Sequence, residues 1–172
     1  ERQQLKATDN ELLSECIKLQ DVFDLYFGPE RGSWQERGPG REGGSPFELA
    51  LAEALRLDGY EVMIGVRAMS GQIDVDIALR SGNQYGIIEA KTGSGGRELK
   101  GIQQLSTAAR HLGTFMQSFY VITVPPETNH KAITAASSIQ ILSLPGYDSA
   151  TNALPPVETR ELLDRVGKVL RG

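Results

Sequence analysis

The sequence has few of the residues that mark several common classes of protein. Its single cysteine, Cys16, excludes an intramolecular disulfide framework and a cysteine-rich zinc site, and it favours a cytoplasmic setting. No apolar run approaches the length of a membrane-spanning helix and no signal peptide is visible, so no membrane partner is expected. The net charge of -4 is not typical of a nucleic-acid-binding surface, and such contacts must come from local clusters.

By composition the chain divides into two unequal parts. Residues 45–172 suit one compact domain with its core in 45–144, whereas residues 1–44 comprise an amphipathic helix and a linker rich in Gly and Arg. The linker's arginines and Trp34 could also contact a nucleic-acid strand, although its acidic residues favour a plain linker. Because the sequence begins with Glu1 rather than Met, we expect a piece of a longer protein.

Two β-rich segments within residues 72–91 carry charges in unusual positions. A Ser-Gly-Asn break separates them, so they predict a two-stranded antiparallel hairpin. By period two, one face of the first strand holds four aliphatic residues, namely Ile73, Val75, Ile77 and Leu79. This leaves Asp74 and Asp76 on the other face. In the second strand Glu89 and Lys91 share a face at the end of an otherwise apolar run.

Pairing of these strands brings an Asp, a Glu and a Lys together at the edge of a sheet. Neighbouring carboxylates repel and are costly to desolvate, so they usually share a proton or hold a cation. Mg²⁺ is commonly held by two or three oxygen ligands with water and substrate phosphate. An ammonium group beside it could orient a water or neutralise charge on a phosphoryl oxygen. The alternative is a set of solvated ion pairs on an edge strand.

An Asp followed by Glu-x-Lys on such a hairpin resembles the PD-(D/E)xK nuclease superfamily. Asp74, Glu89 and Lys91 carry the resemblance, and Ile73 stands where the motif's proline would be. The resemblance implies a metal-dependent endonuclease. In it, Asp74, Glu89 and the Ala90 carbonyl would bind Mg²⁺ or Mn²⁺, while Lys91 would position the attacking water and stabilise the transition state.

A helix predicted from Ser45 and Pro46 to about Leu57 carries a further carboxylate, Glu48, in its first turn. The helix dipole alone favours an acidic residue there. The superfamily commonly uses an acidic residue on its first core helix to supplement the metal site. The resemblance therefore implies that Glu48 holds a second ion or a metal-bound water, and Glu53 is a less suitable substitute.

A second helix, predicted for about residues 98–112, follows the hairpin and a Gly-rich loop. Superfamily members often place a Gln on this helix to assist the site, which makes Gln103 and Gln104 candidates of equal rank. Arg97 and Lys100 belong to a basic cluster that could contact phosphates, although a solvated helix face explains it equally well. Lone histidines such as His130 are expected at the surface.

The predicted order is helix, three strands, helix, strand, helix, strand, with further helices at both termini. This is the α/β order of a restriction-endonuclease-like core with a mixed central sheet flanked by helices. Because superfamily nucleases frequently act on two strands as pairs, the resemblance also implies a homodimer. DNA or RNA is the expected partner, and neither the strandedness nor the sequence of the substrate follows from these residues.

A closer likeness is to the nuclease domain of CARF-linked effectors of type III CRISPR defence. It is carried by Phe47-Glu48, Gln72-Ile-Asp-Val75 and Ile88-Glu-Ala-Lys-Thr-Gly93. In that family the nuclease follows a sensor of cyclic oligoadenylate, and no sensor is visible here. The N-terminal helix and linker would then join the nuclease to a missing sensor domain.

Two other functions agree with the same residues. The chain could be a DNA endonuclease of the Mrr-like restriction type or the Holliday-junction-resolving type. It could also be a non-catalytic nucleic-acid-binding module that has kept the fold. Retention of the Asp, the Glu and the Lys argues for the enzyme.

Overall fold

The computed structural model of the chain describes residues 45–68, 73–82, 84–112, 116–131 and 138–172. The side chains at 66–68, 73–74 and 111–112 lie outside the description, as do the helix and linker predicted within residues 1–44. The elements in chain order are α1 (Pro46–Leu57), β1 (Glu61–Ala68), β2 (Ile73–Ser81), β3 (Gln84–Lys91), a 3-10 helix (Gly93–Arg97), α2 (Lys100–Leu112), β4 (Met116–Ile122), β5 (Ile139–Ser143) and α3 (Pro156–Arg171).

The five strands form a mixed sheet in the order β1-β2-β3-β4-β5. The two pairs made by β1, β2 and β3 are antiparallel, as expected for strands joined by short turns. The β3–β4 and β4–β5 pairs are parallel, and α2 provides the crossover between β3 and β4. This is the architecture of a restriction-endonuclease-like core. The predicted fold class is therefore confirmed.

Helices cover both faces of the sheet and divide the core into two clusters. The α2-side cluster contains apolar residues of α2 and of the strands beneath it, among them Ile87, Ile102, Leu105 and Tyr120. The α1/α3-side cluster contains the buried faces of α1 and α3 and the strand residues that they cover, among them Leu51, Leu55, Ile88, Phe119 and Val166. Since β3 and β4 are buried on both faces, their register is fixed by the core. No helix in the described ranges is long and apolar enough to cross a membrane.

The start and the end of α1 agree with the local signals in the sequence. Ser45 is the N-cap, its side chain accepts the Glu48 N–H at 3.3 Å, and Pro46 occupies the first helical position. The helix ends at Leu57, and Gly59 follows with a φ of 96°, a conformation that glycine adopts readily. This cap fixes the position of Glu48 at the end of the helix that faces the hairpin.

Several predicted boundaries differ from the observed ones. The Gly-rich segment after β3, expected to be a flexible loop, forms a 3-10 helix. The apolar run at 119–124 predicts a strand, and the observed strand spans Met116–Ile122. Thr128 or Asn129 predicts the cap of a short helix to about residue 137, which the structure describes only over its helical residues 128–131. The expectation of a surface position for His130 is wrong, because its side chain is fully buried.

Alanine substitutions at two helical glycines are expected to change the stability in opposite directions. A Cβ on Gly101 of α2 would lie 2.7 Å from Cε2 of the buried Tyr120 ring, whereas one on Gly167 of α3 would meet only the Tyr60 hydroxyl at 3.5 Å. Gly101→Ala should lower the free energy of unfolding by about 1–3 kcal/mol. Gly167→Ala should raise it by about 0.5–1 kcal/mol, because alanine favours the helix. Urea unfolding measures both, and changes of the same sign would contradict the packing described.

Candidate active site

The candidate site begins where the pairing of β2 with β3 ends. The described pairs run from Ser81↔Gln84 to Ile77↔Ile88. At the next residue of β2 the contact with β3 is made by a side chain: Asp76 Oδ2 accepts the Ala90 N–H at 2.8 Å. Asp76 is thereby fixed against the segment Glu89-Ala90-Lys91.

The alternation of side chains along β2 changes at the same place. Ile77 and Leu79 lie in the α1/α3-side cluster, as expected, whereas Val75 lies with Ala78 in the α2-side cluster. On β1, Gly65 lies opposite this point and has a φ of 64°. The β1–β2 residue pairs pass directly from Ile64↔Ile77 to Val66↔Val75. The strict period-two pattern predicted for β2 is therefore wrong at Val75. At this irregularity in β2, the Asp76 side chain reaches the Ala90 amide of β3.

Glu89 and Lys91 form the centre of the site. Their side chains share one face of β3, as predicted, and Glu89 Oε1 lies 2.9 Å from Lys91 Nζ. Glu89 is only 2% exposed, so a charge there requires a close partner. For Lys91, burial disfavours the ammonium form, but the hydrogen bond to Glu89 and the charges of Glu89, Asp76 and Glu48 outweigh it and raise the pKa. Lys91 is consequently cationic across the physiological pH range.

Glu48 joins this group from the start of α1. Ser45 Oγ donates to Glu48 Oε1 at 3.3 Å, which orients the carboxyl group. Burial and then the charge of Asp76 raise the pKa of Glu48 to about 7, while Ser45 and Lys91 act in the opposite direction. The electrostatic coupling of Glu48 to both Asp76 and Lys91 indicates that the start of α1 lies close to these strand residues.

The raised pKa of Glu48 predicts a pH-dependent effect on stability. The folded protein holds this proton more tightly than the unfolded chain, so the contribution is present below the ordinary pKa of 4.5 and is lost as the pH rises through about 7. Glu48→Gln should therefore raise the free energy of unfolding at pH 8, by on the order of 2 kcal/mol after allowance for solvent screening. The gain should shrink toward pH 4.5.

Chemical unfolding at several pH values, without divalent cations, measures this effect. The matched control is Glu53→Gln, an exposed carboxylate on the same helix, which should change stability by no more than about 0.5 kcal/mol. A Glu48→Gln variant whose stability follows the wild type at every pH would contradict the desolvated position of Glu48.

The start of α2 packs over Tyr120, the residue of β4 beside Glu89. Tyr120 pairs with Glu89 in register, and the close approach of Gly101 to the Tyr120 ring places the first turn of α2 there. Gln104 is one turn from Gly101 on the same side of α2 and is half-buried, whereas Gln103 is exposed. Of the two glutamines, the structure favours Gln104 as the one near the site.

The two basic candidates lie at the surface beside this region. Arg97 ends the 3-10 helix, and its Nε lies 3.8 Å from Glu127 Oε1 with both side chains largely exposed. Lys100 is exposed at the first position of α2. Both lie within ten residues of Lys91 along the chain, in the segment that leaves the site.

The structure describes a side-chain contact for only one of the two aspartates of β2, which is Asp76. Asp74 belongs to β2 and pairs with Arg67 of β1, and its side chain lies outside the description. Asp76 contacts the Ala90 amide and couples to Glu48 and Lys91. Sequence reasoning placed Asp76 on the right strand but did not include it in the site. The available signal was its spacing of two residues from Asp74.

The carboxylates suit a hard divalent cation in their chemistry. Glu48, Asp76 and Glu89 supply only oxygen donors, which Mg²⁺ and Mn²⁺ prefer. Among the side chains that the structure describes, which do not include Asp74, no group of three His, Cys, Asp or Glu is already arranged to hold a metal ion. The donor set fits a site in which one or two carboxylates act with water and substrate phosphate, rather than a closed protein cage.

Comparison with known proteins gives distant structural neighbours. No protein-family model matches the chain, and no curated protein matches it significantly. The fold is similar to AF1548, a protein of unknown function, at 14% identity and a TM-score of 0.47, over 69% of this chain and 66% of that one. It is also similar to VC1899 from Vibrio cholerae, at 15% identity and a TM-score of 0.45, over 72% of this chain and 33% of that one.

A third neighbour is an XisH family protein from Nostoc punctiforme. It matches at 16% identity with a TM-score of 0.46, over 64% of this chain and 97% of that one. This chain therefore covers nearly the whole of the XisH family protein but only a third of VC1899.

Proposed function

We propose that the chain is a metal-dependent endonuclease domain that hydrolyses phosphodiester bonds in nucleic acid. The observation that carries the proposal is the buried Glu89 bonded to Lys91 at 2.9 Å, at the point where Asp76 binds the Ala90 amide. A desolvated carboxylate beside an ammonium is costly to maintain, and in active sites such arrangements serve chemistry. Solvated ion pairs on an edge strand do not explain it, because β3 is an inner strand of the sheet.

Each carboxylate has a distinct part in this proposal. Asp76 and Glu89, with the Ala90 carbonyl, would hold Mg²⁺ or Mn²⁺ between β2 and β3, and Asp74 remains a candidate ligand on the same strand. When bound, the metal supplies a Lewis acid that lowers the pKa of a water molecule and neutralises phosphate charge. Glu48, whose pKa is about 7, can hold a proton or orient a water at the open side of the site.

Lys91 provides the fixed positive charge of the site. Its contact with Glu89 holds the ammonium group at the end of β3. A preorganised cation stabilises the negative charge that develops on the phosphoryl oxygens, and its N–H donors can orient the attacking water. Arg97 and Lys100 would bind backbone phosphates of the substrate, and Gln104 of α2 would assist the site.

The wider setting follows from the resemblance to CARF-linked and restriction-type nucleases. It implies a defence nuclease whose products carry 5′-phosphate and 3′-hydroxyl ends, and which in the CARF-linked family follows a sensor domain. Mrr-like restriction enzymes and Holliday-junction-resolving enzymes share the same expected chemistry and differ in substrate. Trials on single strands, duplexes, four-way junctions and RNA separate these proposals.

The test is a gel assay of labelled single-stranded DNA, duplex DNA, junction DNA and RNA in Mn²⁺, Mg²⁺ or EDTA. Wild-type protein is compared with Glu89→Gln, which preserves the size of the side chain. We expect metal-dependent cleavage of at least one substrate, and its loss in the variant. Cleavage that persists in EDTA or in Glu89→Gln would contradict the proposal.

A non-catalytic nucleic-acid-binding module is the second candidate. The observation that favours it is the lack of a ready-made three-ligand metal group among the described residues. Calorimetric titration with Mn²⁺ separates the two. A binding module need not take up Mn²⁺ at these carboxylates, whereas the nuclease should bind it in the wild type and more weakly in Glu89→Gln.

A further inference from the structure

The segment that joins β3 to α2, residues 92–99, is held by three side chains from outside it. We name this segment the connector. Thr123 Oγ1 accepts the Gly93 N–H at 2.9 Å, and the Tyr120 hydroxyl donates to the Glu98 carbonyl at 3.3 Å. His130 Nε2 lies 3.1 Å from the Arg97 carbonyl oxygen. Each end of the connector is thus bound through its backbone to β4 or to the chain that follows β4.

His130 is the buried histidine of this set, and the proposed chemistry gives it no role. Its side chain is fully buried, and its Nδ1 accepts the Glu127 N–H at 3.3 Å. A carbonyl oxygen only accepts, so Nε2 must carry the hydrogen that reaches the Arg97 carbonyl. One neutral tautomer satisfies both bonds, and the ring bridges the connector to the turn before residue 128.

The same turn also contacts the connector through its side chains. Glu127, whose amide binds His130, has its carboxylate 3.8 Å from Arg97 Nε. The Tyr120 ring lies edge-on to His130 with the ring centres 6.2 Å apart. His130 therefore fixes the backbone of Arg97 from the buried side, while the Arg97 side chain remains exposed. Such a bond reduces the entropy lost when an exposed arginine binds a ligand.

We propose that His130 is a positioning residue that fixes the connector so that Arg97 and Lys100 present a preformed phosphate-binding edge to the substrate strand. The inference is based on the proposed nuclease function and extends it to the way the substrate is held. It assigns His130 to substrate binding and not to the chemical step. Loss of the Arg97 bond should therefore raise KM and leave kcat nearly unchanged.

Two isosteric variants of the full chain isolate this bond. In His130→Gln the amide nitrogen lies near the former Nε2 and can still donate to the Arg97 carbonyl. In His130→Asn the amide oxygen lies near the former Nδ1 and keeps the Glu127 bond, but the donor is too short to reach Arg97. Both retain a buried polar side chain, and each keeps one of the two ring bonds, so the Arg97 bond is lost only in His130→Asn.

Trypsin cleavage at the Arg97–Glu98 bond, followed by mass spectrometry, reports on the connector independently of activity. We expect His130→Asn to be cut there about five times faster than the wild type, and His130→Gln to be cut at nearly the wild-type rate. In cleavage kinetics, His130→Asn should raise KM about fivefold with kcat within about twofold, and His130→Gln should restore KM.

The outcomes separate this inference from the function on which it rests. Wild-type protein that cuts no nucleic acid would contradict the nuclease proposal, and the trypsin result would still decide whether His130 holds the connector. Equal trypsin rates in the wild type and His130→Asn would overturn the inference. So would equal acceleration in both variants, because that indicates general loosening rather than loss of one bond.

Discussion

Replacing Lys91 by methionine is expected to lower kcat for nucleic-acid cleavage by roughly 10³-fold with little change in KM. Methionine keeps the length of the apolar stem and removes the ammonium group. The cation that faces the developing phosphoryl charge is then absent, and Glu89 loses its partner at 2.9 Å. The buried Glu89 carboxylate should respond by taking up a proton, which Mn²⁺ must then displace, so the variant should also bind Mn²⁺ more weakly.

The matched control is Lys100→Met, which removes a lysine nine residues further along the chain, at the exposed start of α2. It should raise KM by a few fold and leave kcat nearly unchanged, since a phosphate contact aids binding and not the chemical step. If Lys91→Met cuts at the wild-type rate, Lys91 is a structural partner of Glu89 and the proposed chemistry is wrong.

The second large effect concerns Asp76, the aspartate that binds the Ala90 amide. In the wild type, Asp76 Oδ2 accepts the Ala90 N–H at 2.8 Å. Asp76→Asn retains an amide oxygen that can accept the same N–H, so the end of the β2–β3 pairing should be preserved. Only the charge is lost. We expect the affinity for Mn²⁺ to fall roughly 10-fold to 100-fold, with a comparable or larger fall in kcat.

Asp74→Asn is the informative comparison for this prediction, because the spacing in the sequence first indicates Asp74. If only Asp76→Asn loses Mn²⁺ affinity, the site aspartate is Asp76. If only Asp74→Asn does, the motif-based assignment is correct and Asp76 serves the strand end alone. If neither does, the metal is not held between β2 and β3.

Much of the fold could be predicted because the local signals agree with the tertiary structure. Ser45 and Pro46 mark the start of α1, and the apolar runs of β3 and β4 indicate strands buried on both faces. Glu89 and Lys91 could be paired from their spacing alone, since period two holds within β3. These features depend on neighbours in the chain, and such neighbours are visible in a sequence.

The remaining features depend on contacts between distant parts of the chain. Asp76 acquires its role because it binds the Ala90 amide, fourteen residues away, where the alternation of β2 breaks beside Gly65. His130 looks like a surface histidine until the connector is seen to supply an acceptor at 3.1 Å. Local patterns carry no information about either contact.

The choice between Gln103 and Gln104 likewise required the approach of α2 to Tyr120. That approach is allowed only by the missing side chain at Gly101. A helical pattern shows which residues share a face, but not which strand the first turn of the helix contacts.

The most direct measurement is the rate of nucleic-acid cleavage by the wild-type chain as Mn²⁺ is raised from zero, in EDTA, to millimolar concentrations. A site formed by Glu48, Asp76, Glu89 and Lys91 predicts no cutting in EDTA and a rate that rises with Mn²⁺ to a plateau. A rate that is the same in EDTA and in Mn²⁺ would contradict it.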